Sequence, residues 1–447
     1  MPWVRLHCVK DYYPMAKIME STPALRLNFN FSGVLLDQLQ DYAEGTAEDE
    51  YQRLTLKESK TLTPAEKKFV IERFFSINPK WGIIPYPRYN ELYQKHLKKD
   101  PALFTPADIT DTQAYFNLVW FHSLTVEKDA GLKKLIKKGR GFDAADKKSI
   151  IDKQYQVIKE TVPLYKKLAA EKKIEVSISP HYHPIIPLLC DTDIMRYFPY
   201  LTTPGRRFRH PEDARYHIAR GKRAAETMFQ TDICGSWPSE GSVSEEAIDA
   251  FKQEGINWIA TDEDILFNSL KNNSLPFEVI SGQRHLVYRP YLFEDTAVFF
   301  RDKNISNKMS FVYQDWLDQK AAAEDIIMSL KGIHAESTKI HRDNIVLIAM
   351  DGENAWEHYY DNGRTFLSTL YKRISESNWL RSTTVGDYLN KHRTCCARKL
   401  QRIAAGSWIN ADFSVWAGSR QNNRYWLWLK ELREEIEEQK DKMTDEK

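Results

Sequence analysis

The chain has 447 residues, 42% of them hydrophobic, which is enough for one large domain with an appendage or for two ordinary domains. Its 64 Lys and Arg residues almost balance its 62 Asp and Glu residues, and the net charge of +2 argues against a nucleic-acid or membrane-surface partner. The 12 Trp and 22 Tyr residues have an apolar face and a polar handle, which suits neutral sugar rings.

The cysteines and the first residues indicate in which cellular compartment the protein works. The start, MPWVRLHCVKDYYPM, lacks the apolar core of a signal peptide, and no segment has the ~20 apolar residues that span a bilayer. The cysteines are too few and too irregularly spaced for a disulfide framework or a zinc site. They are Cys8, Cys190, Cys234, Cys395 and Cys396. The sequence therefore predicts a cytoplasmic protein without a membrane span.

The predicted elements alternate between strands and helices along the chain. Residues 25–30 (LRLNFN) predict a short strand, and an amphipathic helix begins near Val34. A Lys-rich helical insertion is predicted at about 63–173. After it, residues 174–179 (IEVSIS) predict an apolar strand, and residues 214–228 predict a helix.

The clearest local unit follows the predicted strand TDICGSW. Ser242 and Glu245 have the spacing of a capping box before a helix that Gly255 closes. The buried strand INWIATD comes next, so the unit is βαβ. Further strands are predicted at 296–302 and 344–350, and a charged helix at KELREEIEEQKDK. Repeated units of this kind predict either a closed α/β barrel or an open doubly wound sheet.

The predicted strands end in polar side chains. In both architectures, functional residues gather at the carboxyl ends of the strands. No glycine-rich phosphate motif follows a strand, which argues against a nucleotide site and against the open sheet. The side chains at these ends are His181, His183, Glu240, Asp262, Asp302, Asp351 and Glu353.

Glu240 and Asp351 are the candidate catalytic pair. Two carboxylates at the ends of different strands, with Trp nearby, can cleave a glycosidic bond, one as acid and base and the other as nucleophile or activator of water. Asp351 follows an apolar run and lies two residues from Glu353, which favours a protonated acid. Glu240 precedes a helix N-terminus, which favours an ionised nucleophile.

Each of these motifs has a plainer interpretation. The PSEG at Glu240 is also a common strand-to-helix turn, and the DGEN at Asp351 is also a surface turn or part of a cation site. His181 and His183 are more simply polar groups at a strand end than metal ligands, because no HExxH-like spacing is present. The tryptophans of AGSWINADFSVWAG are either core residues or a sugar platform.

Taken together, four segments resemble glycoside hydrolase family 57, retaining enzymes on α-glucans that include α-amylases, amylopullulanases, 4-α-glucanotransferases and branching enzymes. They are SPHYHPIIPLL, GSWPSEGSVS, IAMDGENAWEHY and GSWINADFSVW, in the family's order. The resemblance implies that Glu240 is the nucleophile and Asp351 the acid/base. It also implies substrate contacts from His183, Trp237, Glu353, Trp356, Trp408 and Asp412.

The resemblance implies an α/β fold, a distorted (β/α)7-type barrel resembling a TIM barrel. Residues 1–390 are expected to form this catalytic barrel, and 391–447 to form a cleft-lining segment and the start of a C-terminal helical region. The family's first region is absent and His7 is not its histidine, so the barrel is expected to lack its first strand.

The implied reaction is double displacement on starch, glycogen, pullulan or maltooligosaccharides. Water as acceptor gives hydrolysis, and a glucan acceptor gives transfer. We expect no cofactor, no metal ion, no nucleic acid and no membrane partner. Two rivals stay open: a non-catalytic glucan-binding protein, and a metal-dependent hydrolase or deacetylase with His181, His183 and Asp351 as ligands.

Overall fold

A computed structural model describes residues 1–272, 283–337, 339, 344–392 and 398–443. Its strands are β1 (Leu27–Ser32), β2 (Ile174–Ser179), β3 (Gly235–Ser236), β4 (Trp258–Asp262), β5 (Tyr291–Phe293), β6 (Thr296–Arg301) and β7 (Lys399–Leu400). They form one sheet in the order β1-β2-β3-β4-β6-β5-β7. Neighbouring strands are parallel except β5 and β6, which form an antiparallel hairpin.

Helices connect the strands and pack against the sheet. They are α1 (Trp3–His7), α2 (Tyr13–Glu20), α3 (Gly33–Glu44), α4 (Glu50–Leu56), α5 (Pro64–Arg73), α6 (Pro87–Leu97), α7 (Pro106–Leu118), α8 (Ser123–Lys128), α9 (Ala130–Lys138), α10 (Ala144–Ala170), α11 (Ile186–Cys190), α12 (Pro211–Phe229), α13 (Glu245–Gln253), α14 (Glu263–Asn272), α15 (Lys303–Asn307), α16 (Gln319–Ser337), α17 (Arg364–Ser375), α18 (Val385–Lys391) and α19 (Arg420–Met443). A π-helical turn, Cys8–Tyr12, joins α1 to α2. Among the helices of the described residues, none combines the length and the apolar character that a membrane span requires.

Several elements follow the sequence closely. Strand β2 has the predicted bounds, and β4 and β6 lie within the predicted apolar runs with every residue buried. Residues 63–173, all of them described, hold α5 to α10 and no strand, as the Lys-rich helical pattern of this range predicts. Full burial on both faces selects continuous apolar runs, which explains why these strands could be predicted.

The predicted capping box is wrong. The cap of α13 is Ser244, whose hydroxyl accepts a hydrogen bond from the backbone N–H of Ala247 at 3.1 Å. Val243 exchanges backbone hydrogen bonds with Gly406 and is therefore held extended, so the helix cannot begin before Glu245. Gly255 follows the helix with φ of 76°, as predicted for a closing glycine.

The predicted strand at 344–350 is reduced to one parallel bridge, between Leu347 and Arg301. Every residue of this segment is only partly buried, although its sequence is as apolar as β4. The segment thus lies beside β6 without a full ladder. Strands β5 and β7 were not predicted, because two or three residues carry no detectable periodicity.

Polar contacts tie the carboxyl ends of the first three strands together. Ser179 donates a hydrogen bond to the carbonyl of Trp237 at 2.8 Å and accepts one from Asn30 at 2.8 Å. Gly235 packs against the ring of Trp258, where a Cβ would lie about 2 Å from the indole, so only glycine fits. The chain that leads to Glu240 is therefore fixed on both sides.

Candidate active site

Glu240 lies in a left-handed turn directly after β3. Its φ and ψ are 57° and 26°, and Gly241 follows with φ of 58°. A left-handed residue other than glycine costs about 1–2 kcal/mol, so the surrounding structure must hold it. The backbone N–H of Trp408 donates to the carbonyl of Glu240 at 3.0 Å, and the hydroxyl of Thr261 donates to the carbonyl of Gly241 at 2.6 Å. These bonds from separate segments fix the turn.

The Glu240 carboxylate is partly buried and has two hydrogen-bond donors. His183 Nε2 lies 3.2 Å from Oε1, and Trp408 Nε1 donates to Oε2 at 2.9 Å. The hydrogen bond from His183 is the main cause that lowers the pKa of Glu240; burial opposes it and the bond from Trp408 adds to it. The carboxylate is therefore held ionised, as a nucleophile requires.

Two indole rings form a wall beside this carboxylate. Trp237 and Trp408 meet edge to face, with ring centroids 5.6 Å apart. A Cβ built on Gly241 points at the Trp237 ring 3.0 Å away, so the turn also sets the position of that ring. Aromatic faces beside a carboxylate suit the apolar face and polar edges of a sugar ring.

Arg301, at the end of β6, was missed by the sequence reasoning. Its guanidinium lies 4.7 Å from the ring centroid of Trp408, donates to Asp262 at 2.6 Å, and reaches the carbonyl of Ala349 at 3.3 Å. Burial raises the pKa of Asp262, and the charge of Arg301 opposes that rise. An arginine inside the apolar run TAVFFRD was the available signal. It links the Glu240 side of the site to the segment before Asp351.

Asp351 is exposed and lies four residues beyond the single bridge of its segment. Its Oδ2 accepts a hydrogen bond from Asn354 at 2.8 Å. Two residues further on, burial raises the pKa of Glu353 to about 7, opposed by His7 and assisted by the charge of Asp351. A carboxyl that holds its proton near neutrality therefore lies beside the predicted acid/base.

Two predicted substrate contacts are buried. Trp356 is 4% exposed, and its indole N–H donates to the carbonyl of Gly352 at 2.9 Å. Asp412 is 5% exposed and accepts hydrogen bonds from the N–H and hydroxyl of Ser414 and the hydroxyl of Tyr200. Both side chains support the loops in this conformation, and their contact with substrate stays a prediction.

The histidines of HYHP have different partners. His183 bonds to Glu240, whereas His181 is buried with Nε2 3.2 Å from a carboxylate oxygen of Asp37. Among the described residues, no group of three or more His, Cys, Asp or Glu side chains could hold a metal ion. The three ligands of the metal-dependent alternative, His181, His183 and Asp351, are therefore not brought together as one ligand set.

The remaining candidates have structural partners. Asp302 caps α15 through the N–H of Ile305 and accepts a hydrogen bond from the hydroxyl of Tyr288 at 2.8 Å.

The described thiols are free: Cys8, Cys190 and Cys234. Cys395 and Cys396 lie outside the described residues.

Comparison with known proteins identifies the family. The model of glycosyl hydrolase family 57 matches residues 1–399, and the chain belongs to this family, as the four segments predicted. Comparison with curated proteins gave no match.

Solved structures define the fold. A family 57 branching enzyme from Pyrococcus horikoshii is 15% identical, with a TM-score of 0.57 over 95% of this chain and 72% of its own. The α-amylase AmyC from Thermotoga maritima gives 0.55 at 13% identity over 97% and 76%. A 4-α-glucanotransferase from Thermococcus litoralis gives 0.51 at 14% identity over 98% and 45%. The α/β fold is the distorted (β/α)7-type barrel predicted from the sequence.

Proposed function

We propose that the chain is a retaining glycoside hydrolase or transglycosylase acting on α-glucans such as starch, glycogen, pullulan or maltooligosaccharides. The observation that carries the proposal is the Glu240 carboxylate, held ionised by His183 and Trp408 beside a wall of two indoles. Family membership supports the reaction class, and the names of its structural relatives, a branching enzyme, an α-amylase and a 4-α-glucanotransferase, support the substrate class.

The proposed mechanism is double displacement. Glu240 attacks the anomeric carbon of the glucosyl unit while Asp351 protonates the departing oxygen, which gives a covalent glycosyl-enzyme. The Asp351 carboxylate then removes a proton from the acceptor, whose oxygen attacks the same carbon and releases Glu240. The reaction needs the two carboxyl groups about 5–5.5 Å apart. Hydrogen bonds to both oxygens of Glu240 restrict its rotation, which favours in-line attack.

The acceptor decides between hydrolysis and transfer. Water gives shorter chains, whereas the hydroxyl of a second glucan gives rearranged longer chains. Product analysis with maltooligosaccharides and pullulan separates the two outcomes. The free thiols Cys8, Cys190 and Cys234 fit the further proposal that the protein works in the reducing cytoplasm.

The test of the proposal is Glu240→Gln, with Asp249→Asn on the exposed face of α13 as a matched control. Loss of a nucleophile lowers kcat on the order of 10⁴-fold, while binding of maltooligosaccharides persists. A fluorinated maltosyl fluoride should label the wild-type chain on the peptide that contains Glu240, as mass spectrometry would show.

Two outcomes would overturn the proposal. Label on a different carboxylate, or turnover unchanged in Glu240→Gln, would remove Glu240 from the reaction. Binding of α-glucans by the wild-type chain with no turnover of any of them would leave the non-catalytic glucan-binding protein.

A further inference from the structure

A cavity of about 420 Å³ lies between the N-terminal helical segment and the loop that carries Asp351. Pockets of a few hundred Å³ with mixed aromatic and polar walls are typical of small-molecule sites. Its wall includes Trp3, His7, Tyr12, Glu353, Asn354 and Glu357. Asn354 also donates the 2.8 Å hydrogen bond to Asp351, so the cavity adjoins the proposed acid/base.

Trp3 gives this cavity an apolar surface. The side chain is 56% exposed, yet its ring is stacked on the imidazole of His7, with centroids 5.6 Å apart and planes 14° from parallel. One face of the indole is covered by His7, which holds the ring in place, and the rest of its surface is open. An immobilised, exposed indole at a polar cavity suits the apolar face of a pyranose ring.

His7 is fixed by a buried carboxylate. Its Nδ1 lies 2.7 Å from Oδ2 of Asp11, and both residues are more than nine-tenths buried. Burial raises the pKa of Asp11, and the hydrogen bond from His7 opposes that rise. Because Nδ1 is engaged with Asp11, Nε2 is the ring nitrogen left for a ligand in the cavity that His7 lines.

The charges of the wall select the kind of ligand. Glu353 and Glu357 offer carboxyl oxygens, Asn354 offers an amide, and none of the described Lys and Arg residues lines the cavity. An anionic ligand would face these two carboxyl groups directly, because the nearby Lys10 is buried, donates to Asn362 at 2.7 Å and does not line the cavity. A neutral ligand with many hydroxyl groups can instead donate hydrogen bonds to these oxygens.

We propose that this cavity binds a glucosyl unit of the chain on which Asp351 acts, with Trp3 against the ring and His7 and Glu357 on its hydroxyl groups. The inference rests on the proposed function, because it takes Asp351 as the acid/base. It makes the His7–Asp11 pair a positioning element that keeps the imidazole in one orientation toward the sugar.

The experiment measures maltooligosaccharide binding by calorimetry in the Glu240→Gln chain, which binds without turnover. Trp3→Ala should raise the dissociation constant about 3- to 10-fold, which is the usual contribution of an aromatic contact. Glu357→Gln and His7→Gln should raise it to a smaller extent. Trp428→Ala on α19 removes another half-exposed indole, 48% accessible, and should leave binding unchanged.

The outcomes separate the two proposals. Unchanged binding in both Trp3→Ala and Glu357→Gln would overturn the proposed subsite. The proposed function would still stand if Glu240→Gln had lost turnover. Equal weakening by Trp428→Ala would also overturn the subsite, since the effect would not be local. If thermal unfolding shows that Trp3→Ala has lost its fold, Glu357→Gln decides, because that side chain lies at the surface of the cavity.

Discussion

The two proposed catalytic carboxylates are held in opposite ways. Glu240 occupies a left-handed turn fixed through two backbone carbonyls, and both of its carboxylate oxygens have a donor. Asp351 is exposed, accepts a hydrogen bond from Asn354 on its own loop, and follows a segment that the described residues join to the sheet by a single bridge. One group is fixed by the fold and the other is carried by a loop.

The difference fits the two roles. A nucleophile must be ionised and aligned with one carbon, so restricted rotation lowers the entropy cost of attack. An acid/base must exchange its proton with successive partners, a departing oxygen and then an acceptor, and therefore needs access to both. Arg301 contacts both Trp408, which bonds to Glu240, and the carbonyl of Ala349, which precedes Asp351, and so it holds the two segments together.

Asp351→Asn tests the acid side with the largest expected effect. On maltooligosaccharides, which have a poor leaving group, kcat should fall about 10²- to 10⁴-fold, because the departing oxygen is no longer protonated. On maltosyl fluoride, whose leaving group needs no proton, the first step should change far less. Steady-state and burst kinetics measure both, with the exposed Asp295→Asn as control. An equal loss on the two substrates would show that Asp351 is not the acid.

Arg301→Met tests the link between the two halves. Arg301 is 4% exposed, and its removal leaves the fully buried carboxylate of Asp262 without its cation. Breaking a buried pair costs about 3–5 kcal/mol of the free energy of unfolding, which urea denaturation measures. The double variant Arg301→Met with Asp262→Asn should recover part of the loss. A loss below about 1 kcal/mol in the single variant would contradict this prediction and show that the pair adds little to stability.

Glu353→Gln tests the neighbour of Asp351 through the pH dependence of stability. Burial raises the pKa of Glu353 to about 7, so ionising this carboxyl opposes folding. Stability from its neutral form is complete below the ordinary pKa and is lost as pH rises toward 7, with a slope of up to about 1.4 kcal/mol per pH unit. Glutamine stays neutral.

The Gln variant should therefore unfold like the wild type at pH 4 and be more stable than it at pH 8. The exposed Glu48→Gln gives the baseline. Parallel stability curves for Glu353→Gln and the wild type would show that folding does not shift the pKa of Glu353.

Sequence patterns predicted the parts of the fold that burial determines. The runs of β2, β4 and β6 are apolar because both faces are covered. The same pattern at 344–350 formed one bridge instead of a full strand, because an apolar run does not determine which neighbouring strand it will pair with. The start of α13 also depended on a distant partner, Gly406, which no local cap signal contains.

The candidate site also has a part that the sequence predicted and a part that depends on packing. Motifs in order predicted Glu240, Trp408 and Asp351 as candidates, because each lies in a segment that resembles the family. The contacts among them could not be predicted: Arg301 meets Trp408 across more than 100 residues, and His7 reaches the Glu353 cavity from the other end of the chain. Such contacts depend on the packed barrel and on no spacing in the sequence.

His183→Ala tests how Glu240 is held, and it has the smallest expected effect on rate. Its hydrogen bond is the first cause of the lowered pKa of Glu240, so removing it raises that pKa. Activity requires ionised Glu240 and is lost as pH falls through its pKa, so the acid limb of kcat/KM should move to higher pH. The value above that limb should fall only about tenfold, the worth of one hydrogen bond. Trp408→Phe should move the limb in the same direction by less, whereas Asn354→Ala, which removes the hydrogen bond to Asp351, should leave it in place. An acid limb that shifts with Asn354→Ala and not with His183→Ala would assign the ionised group to the other side of the site.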